Sequence, residues 1–203
     1  SSDLKLPNGK NILMYGEPWA ADESPMEENA IPALKKNIDK LDERIAIFCD
    51  STRDAIKGHV FYGEVPGFVN GGEGFEEDIK SSVRAWCNSV EEWNPKSPKQ
   101  IISYVSAHDN FTLYDKLMEC LKTEKDYRKT DKELIRINKL VAAIVFTCQG
   151  TVFFQAGEEF ARTKLGEDNS YNLSPELNKL DWTRAYEYSD LVEYYKGLIK
   201  IRN

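Results

Sequence analysis

The chain has 203 residues, 41% of them hydrophobic and 30% charged, a balance that supports a packed core and excludes a disordered or low-complexity segment. Its formal net charge is −7 and its basic residues are scattered, so the clustered Lys and Arg of a nucleic-acid face are missing. No apolar run approaches the ~20 residues of a membrane span, so no membrane partner is expected, and nothing at the start reads as a signal peptide.

In chain order, the first element is the apolar run NILMYG (11–16), read as a strand and followed at once by GEPW. A second run, RIAIFCD (44–50), leads into DSTRD. Residues 73–87 place Phe75, Ile79, Val83 and Trp86 at helical spacing. The third strand-like run, QIISYVSA (100–107), ends in His108, Asp109 and Asn110, and a helix-like stretch with Leu113, Leu117 and Met118 comes straight after. The Lys122–Lys132 run is broken by acids and reads as a solvated loop or helix face. Residues 131–148 open on an Asp N-cap and carry Leu134, Ile137, Val141 and Ile144 along one face. A fourth run, GTVFFQAG (150–157), meets GEEF, and a last helix is expected over Tyr188–Arg202 with Ser189 as its cap.

Compact, nearly continuous apolar runs suit strands buried on both faces, and their alternation with helical patterns is the mark of an α/β chain with a parallel sheet. The polar groups decide between an open sheet and a barrel. Each run ends in acids or other groups fit for catalysis, as at the C-terminal strand ends of an enzymatic (β/α)8 barrel. A doubly wound sheet would also bind ligands there, but its glycine fingerprint is absent; GGEG at 71–74 lacks the spacing. Four cysteines with no CxxC pair argue for neither a metal site nor a disulfide framework, and two histidines exclude a multi-histidine centre. Small buried thiols are the expectation. No cofactor and no metal is expected.

Two clusters carry the chemistry. Glu17 sits between Gly16 and Pro18 with Trp19 beside it. Proline stiffens the exit, tryptophan offers a flat face for a sugar ring, and a carboxyl beside apolar surface stays protonated long enough to serve as a general acid. A plain turn glutamate would look the same in this tetrapeptide. His108 can hydrogen-bond a substrate hydroxyl, while Asp109 can hold two more or stabilise positive charge at a reacting carbon. The competing reading is a satisfied core histidine followed by an Asp109 or Asn110 cap, which leaves the histidine unexplained.

The stretches YGEPW and YVSAHDNFTLYDKL resemble the third and fourth conserved regions of the α-amylase superfamily of glycoside hydrolases, in the form found in type I pullulanases. The likeness continues through RDAIKG (53–58), QGTVFFQAGEEFARTK (149–164), DNSYN (168–172) and LDWTRAYEYSDLVEYYKGLIKIR (180–202). It implies a partial (β/α)8 TIM barrel, an α/β fold in which residues 1–203 hold strands five to eight with their helices, the C-terminal half of the catalytic domain. It further implies that Glu17 is the general acid/base, that Asp109 grips ring hydroxyls and stabilises the transition state, and that His108 binds a hydroxyl beside it. Trp19, Phe111 and Tyr171 would then belong to the substrate cleft, with Asp168 and Asn169 also lining it. Phe111 departs from the polar residue often found after HDN.

The family's nucleophilic aspartate ends the fourth strand within a pattern like G-F-R-F-D, and no such pattern occurs in this sequence. A retaining glycosidase needs two carboxyls about 5–5.5 Å apart, one of them a nucleophile. Asp50 and Asp54 lie at another strand end and are expected to shape the cleft or pair with Arg53. The expected whole is a debranching hydrolase that cleaves α-1,6 bonds of pullulan, amylopectin or limit dextrins with retention, inactive as this piece alone. The alternatives are an isoamylase- or branching-enzyme-like relative, or a half-barrel that binds glycans or merely folds. The chain opens on Ser1 and closes within a helical pattern without a C-cap, so a piece of a longer protein is expected, one that self-associates through exposed sheet edges. The localisation stays open: unpaired cysteines lean towards the cytoplasm, while many family members are exported.

Overall fold

The computed structural model describes residues 7–20, 26–89 and 93–203; Ser1, on which part of the fragment expectation rests, lies outside them. Four short strands, β1 (Met14–Gly16), β2 (Ile45–Phe48), β3 (Ile101–Ser103) and β4 (Thr151–Val152), form one sheet in the order β1-β2-β3-β4. Every pairing is parallel, with Met14 opposite Ile45, Ile47 opposite Ile101 and Ile102 opposite Thr151. Among the described strands the order runs without reversal, so they contain no topological switch point of the kind a doubly wound sheet uses. Among the described residues β1 and β4 each pair on one side only.

Each strand is shorter than its apolar run. Past β3, Tyr104 and Val105 leave the ladder yet remain buried, because they form the floor of the strand mouth rather than extra rungs. Hydrophobic continuity marks burial, not pairing.

The helices are α1 (Asp50–Lys57), α2 (Glu76–Val83), α3 (Leu113–Leu121), α4 (Lys132–Thr147), α5 (Pro175–Asn178), α6 (Thr183–Glu187) and α7 (Ser189–Arg202). The Asp131 cap of α4 is present, accepting from the backbone N–H groups of Glu133 and Leu134, and Leu134, Ile137 and Val141 are buried as their spacing predicts, with Ile144 packed against them. Three expectations are corrected. Trp86 lies beyond α2 with φ at 57°, so the chain turns left-handed and swings the ring into a second core with Ile38, Ile47, Cys49, Trp93 and Ile101. Ser189 is the first residue inside α7, and the cap position, Tyr188, makes no side-chain cap bond. The cap of α3 is Thr112, whose hydroxyl accepts from the Asp115 N–H at 3.1 Å, not Asp109 or Asn110.

The main core joins α3, α4 and α7 to the side of the sheet that carries Val105. Arg202, at the end of α7, donates to the carbonyls of Phe146 and Cys148 at 2.7 Å each and so ties that helix to the entry of β4. The other side of the sheet presents aromatics. Phe48 packs edge-on against Tyr15, Tyr104 and Phe153, with centroids 5.0–6.0 Å apart, an arrangement that suits ring quadrupoles. All four cysteines are free; Cys49 and Cys148 are buried, Cys87 and Cys120 only half-buried. None of the described helices is long and apolar enough to cross a membrane.

Candidate active site

The strand mouths open into a cleft of about 790 Å³. Glu17 and Trp19 enter it just beyond β1, anchored by buried Pro18, whose carbonyl accepts from the Lys35 N–H. Past β3, His108, Asp109 and Asn110 also line it, and Asp168 and Asn169 come from the loop after β4. Asn110 has φ at 59°, the left-handed conformation that Asn tolerates better than most residues. That turn lets the chain stop at the mouth and re-enter α3 within two residues.

Glu17, His108 and Asp109 converge: one side-chain atom of each lies within 4.8 Å of the others. His108 Nε2 sits 3.2 Å from Asp109 Oδ1, and both side chains are mostly exposed. The expected apolar shelter for Glu17 is missing, since Glu17 is exposed and all three residues of β1 are too. The three groups could also hold a divalent cation, but exposed acids cluster commonly without one.

Six of the eight residues singled out from the sequence line this cleft: Glu17, Trp19, His108, Asp109, Asp168 and Asn169. Phe111 and Tyr171 are not among its lining residues. Phe111 turns its ring edge towards Gly63 instead, and Tyr171 is 80% exposed. Asp50 lines the cleft and Asp54 pairs with Arg53, as expected. Glu158 of GEEF does not reach the cleft. It is buried beneath the floor, accepting from Ser106 Oγ at 2.5 Å and Tyr195 Oη at 2.9 Å, and burial pushes its carboxyl up to about 7.

The sequence reading missed the floor and one wall. Arg53, Lys57, Val60 and Phe61 come from α1 and the loop after it, while Phe48, Tyr104 and Phe153 form the aromatic base. Arg53 is fixed by a two-pronged pair with Asp54 at 2.7 and 3.1 Å and donates to Tyr104 Oη at 2.9 Å. Its signal was the RDAIKG motif. The wall loop is shaped by Lys116, whose ammonium, from inside α3, donates to the carbonyls of His59, Tyr62, Gly63 and Val65. Asp115, next to it, holds the segment after β4, accepting from Thr163 Oγ1 and from the Lys164 N–H at 2.7 Å. Lys164 in turn donates to Ser170 Oγ at 2.5 Å, which fixes the loop that carries Asp168 and Asn169.

No protein-family model matches the chain. Similarity to individual proteins is extensive. The pullulanase of Bacillus subtilis is 37% identical over 198 residues, which is 94% of this chain and 26% of that protein. The chain is homologous to one stretch of the pullulanases. Their solved structures match its fold: the type I pullulanase of Bacillus subtilis complexed with maltose superposes with a TM-score of 0.84 at 33% identity, over 98% of this chain and 27% of that one. The pullulanase of Paenibacillus barengoltzii, in complex with maltohexaose and α-cyclodextrin, gives a TM-score of 0.82 at 38% identity, over 94% of this chain and 28% of that one. This sequence therefore spans about a quarter of the length of the pullulanases it matches. The four-stranded parallel sheet with its helices matches a stretch of those α-amylase-type barrel enzymes, and YGEPW, RDAIKG, YVSAHDN and DNSYN each send residues into the cleft.

Proposed function

We propose that the chain supplies half of the active site of a starch-debranching hydrolase that cleaves α-1,6-glucosidic bonds of pullulan, amylopectin or limit dextrins with retention. The convergence of Glu17, His108 and Asp109 at the strand mouths carries this reading. Glu17 protonates the departing glycosidic oxygen, and its exposure on an open rim is what a group completed by further chain would have. Asp109, held by His108, grips two ring hydroxyls and stabilises charge at the anomeric carbon. Trp19 offers a stacking face, and Asp168 and Asn169 hold a neighbouring sugar. Strands β1 to β4 take the place of strands five to eight of the barrel, and the nucleophilic aspartate comes from outside these 203 residues.

One observation favours a second reading. Glu17 and Asp109 each bring a carboxylate oxygen to within 4.8 Å of the other, near enough to act together on one bond, so Asp109 is the residue to act as nucleophile if the chain hydrolyses unaided. Pullulan hydrolysis by the chain and by Glu17→Gln separates the two. The half-site reading expects no reducing sugar above the Glu17→Gln control, and activity lost in that variant would assign the nucleophile to this chain.

The open edge has its own consequence. Ile12, Leu13, Met14 and Tyr15 are all exposed, Tyr15 at 61%, along a strand that pairs on one side only. Such an edge invites a second strand, so the isolated chain self-associates there. Light scattering should report a dimer or larger species that Tyr15→Lys shifts towards monomer; a monomeric wild type would refute this.

A further inference from the structure

We propose that Lys57 contacts the bound glucan, donating a hydrogen bond from the floor of the cleft to a sugar oxygen. Lysine is almost never fully buried unless it is paired. Lys57 is 1% exposed and lines the cleft, yet among the described residues its side-chain nitrogen makes neither a hydrogen bond nor an ion pair. Its neighbours are already engaged. Arg53 is held by Asp54 and Tyr104, and both carboxylate oxygens of Glu158 accept from hydroxyls, one from Ser106 and the other from Tyr195. Lys116, the other buried lysine nearby, is capped by four carbonyls. Of these three cations, Lys57 is the one whose side-chain nitrogen has no hydrogen-bond partner among the described residues.

An unpartnered buried donor is a standing penalty, and one that faces a cavity is relieved when a ligand brings an acceptor. Burial, reinforced by the charge of Arg53, pulls Lys57 down to about 7. Near neutrality it is then shared between amine and ammonium, and both forms carry N–H donors. The acceptors that an α-glucan brings are neutral, a sugar hydroxyl or ring oxygen, and both the amine and the ammonium can donate to them. Val60 and Phe61 on the adjoining wall supply apolar surface for the face of the same ring. Lys57 is the fifth residue of RDAIKG, so the motif supplies a fixed guanidinium, a free amine and the turn that follows.

This inference rests on the cleft being an α-glucan site, and the test separates the two. Maltotriose is titrated calorimetrically into the wild-type chain and into Lys57→Met, which keeps the length of the side chain and removes the donors, and both proteins are unfolded in urea. Lys57→Met should bind at least ten-fold more weakly while its unfolding midpoint is unchanged or higher, because a buried group without a partner has been removed. Equal affinity in the two proteins overturns the role of Lys57 and leaves the glucan site standing. A lower midpoint in Lys57→Met overturns it as well, by showing that the amine already has a structural partner. A wild-type chain that does not bind maltotriose removes the site and the inference together.

Discussion

Replacing Lys116 with methionine is expected to destabilise the chain by about 3 kcal/mol and to release the loop between His59 and Val65. Hydrogen bonds from a charged donor contribute about 1.5–3 kcal/mol each when buried, but they are not additive and some of the freed carbonyls will find water. Lys116 is fully buried and donates to four carbonyls of one short loop. Methionine fills the same space with no donor, so four carbonyls of the loop lose their shared anchor in α3, where Cys120 Sγ keeps only the Glu64 carbonyl at 3.5 Å, while the helix keeps its Thr112 cap. Because that loop carries Val60 and Phe61 into the cleft, its release should also widen the site. Urea unfolding gives the stability change, and amide exchange over residues 59–65 should accelerate far more than exchange in α4. Stability within about 0.5 kcal/mol of wild type would show that the loop is held by something else.

The second large effect lies at the start of the same loop. Gly58 has φ at 89° and ψ at 165°, a region essentially closed to residues with a side chain. A Cβ there would lie 2.0 Å from the Val65 carbonyl oxygen and 2.7 Å from the Pro66 carbonyl carbon, both backbone atoms that cannot step aside. Gly58→Ala should therefore cost more than about 3 kcal/mol, combining dihedral strain with a backbone clash. Gly71 provides the control: its φ is also positive, at 101°, but nothing lies within 4 Å of a built Cβ, so Gly71→Ala should cost only roughly 1–2 kcal/mol. Equal losses in the two variants, measured by urea unfolding, would mean that close approach of the backbone is irrelevant at Gly58.

Both residues lie within motifs read from the sequence, and their work there was not visible. RDAIKG and HDNFTLYDKL marked the right places, because charged and glycine residues beside apolar runs stand out in a linear pattern. The helix α1 did not stand out. It buries Thr52 and Lys57 together with Ala55 and Ile56, so its inner face lacks the apolar periodicity by which helices are recognised. The strands were legible because Ala46, Ile47, Ile101 and Ile102 are buried; their ends were not, because Tyr104 and Val105 are buried as floor residues. Trp86 matched a helical spacing that the chain abandons three residues earlier. The convergence of Glu17 with His108 and Asp109 followed from parallel strands that end on one side. The exposure of Glu17 did not, since it depends on β1 pairing, among the described strands, with β2 alone. Phe111 and Tyr171 were carried by family likeness alone, and neither side chain lines the cleft of this chain.

The central claim is that the cleft at the strand mouths receives an α-glucan. Amide chemical shifts followed during a maltotriose titration test it most directly. The account predicts that the perturbed amides cluster at residues 17–19, 106–110 and 168–169, and that Asp109→Ala removes the response. Shifts confined to residues that do not line the cleft, such as those around Trp182, or no shifts at all, would contradict it.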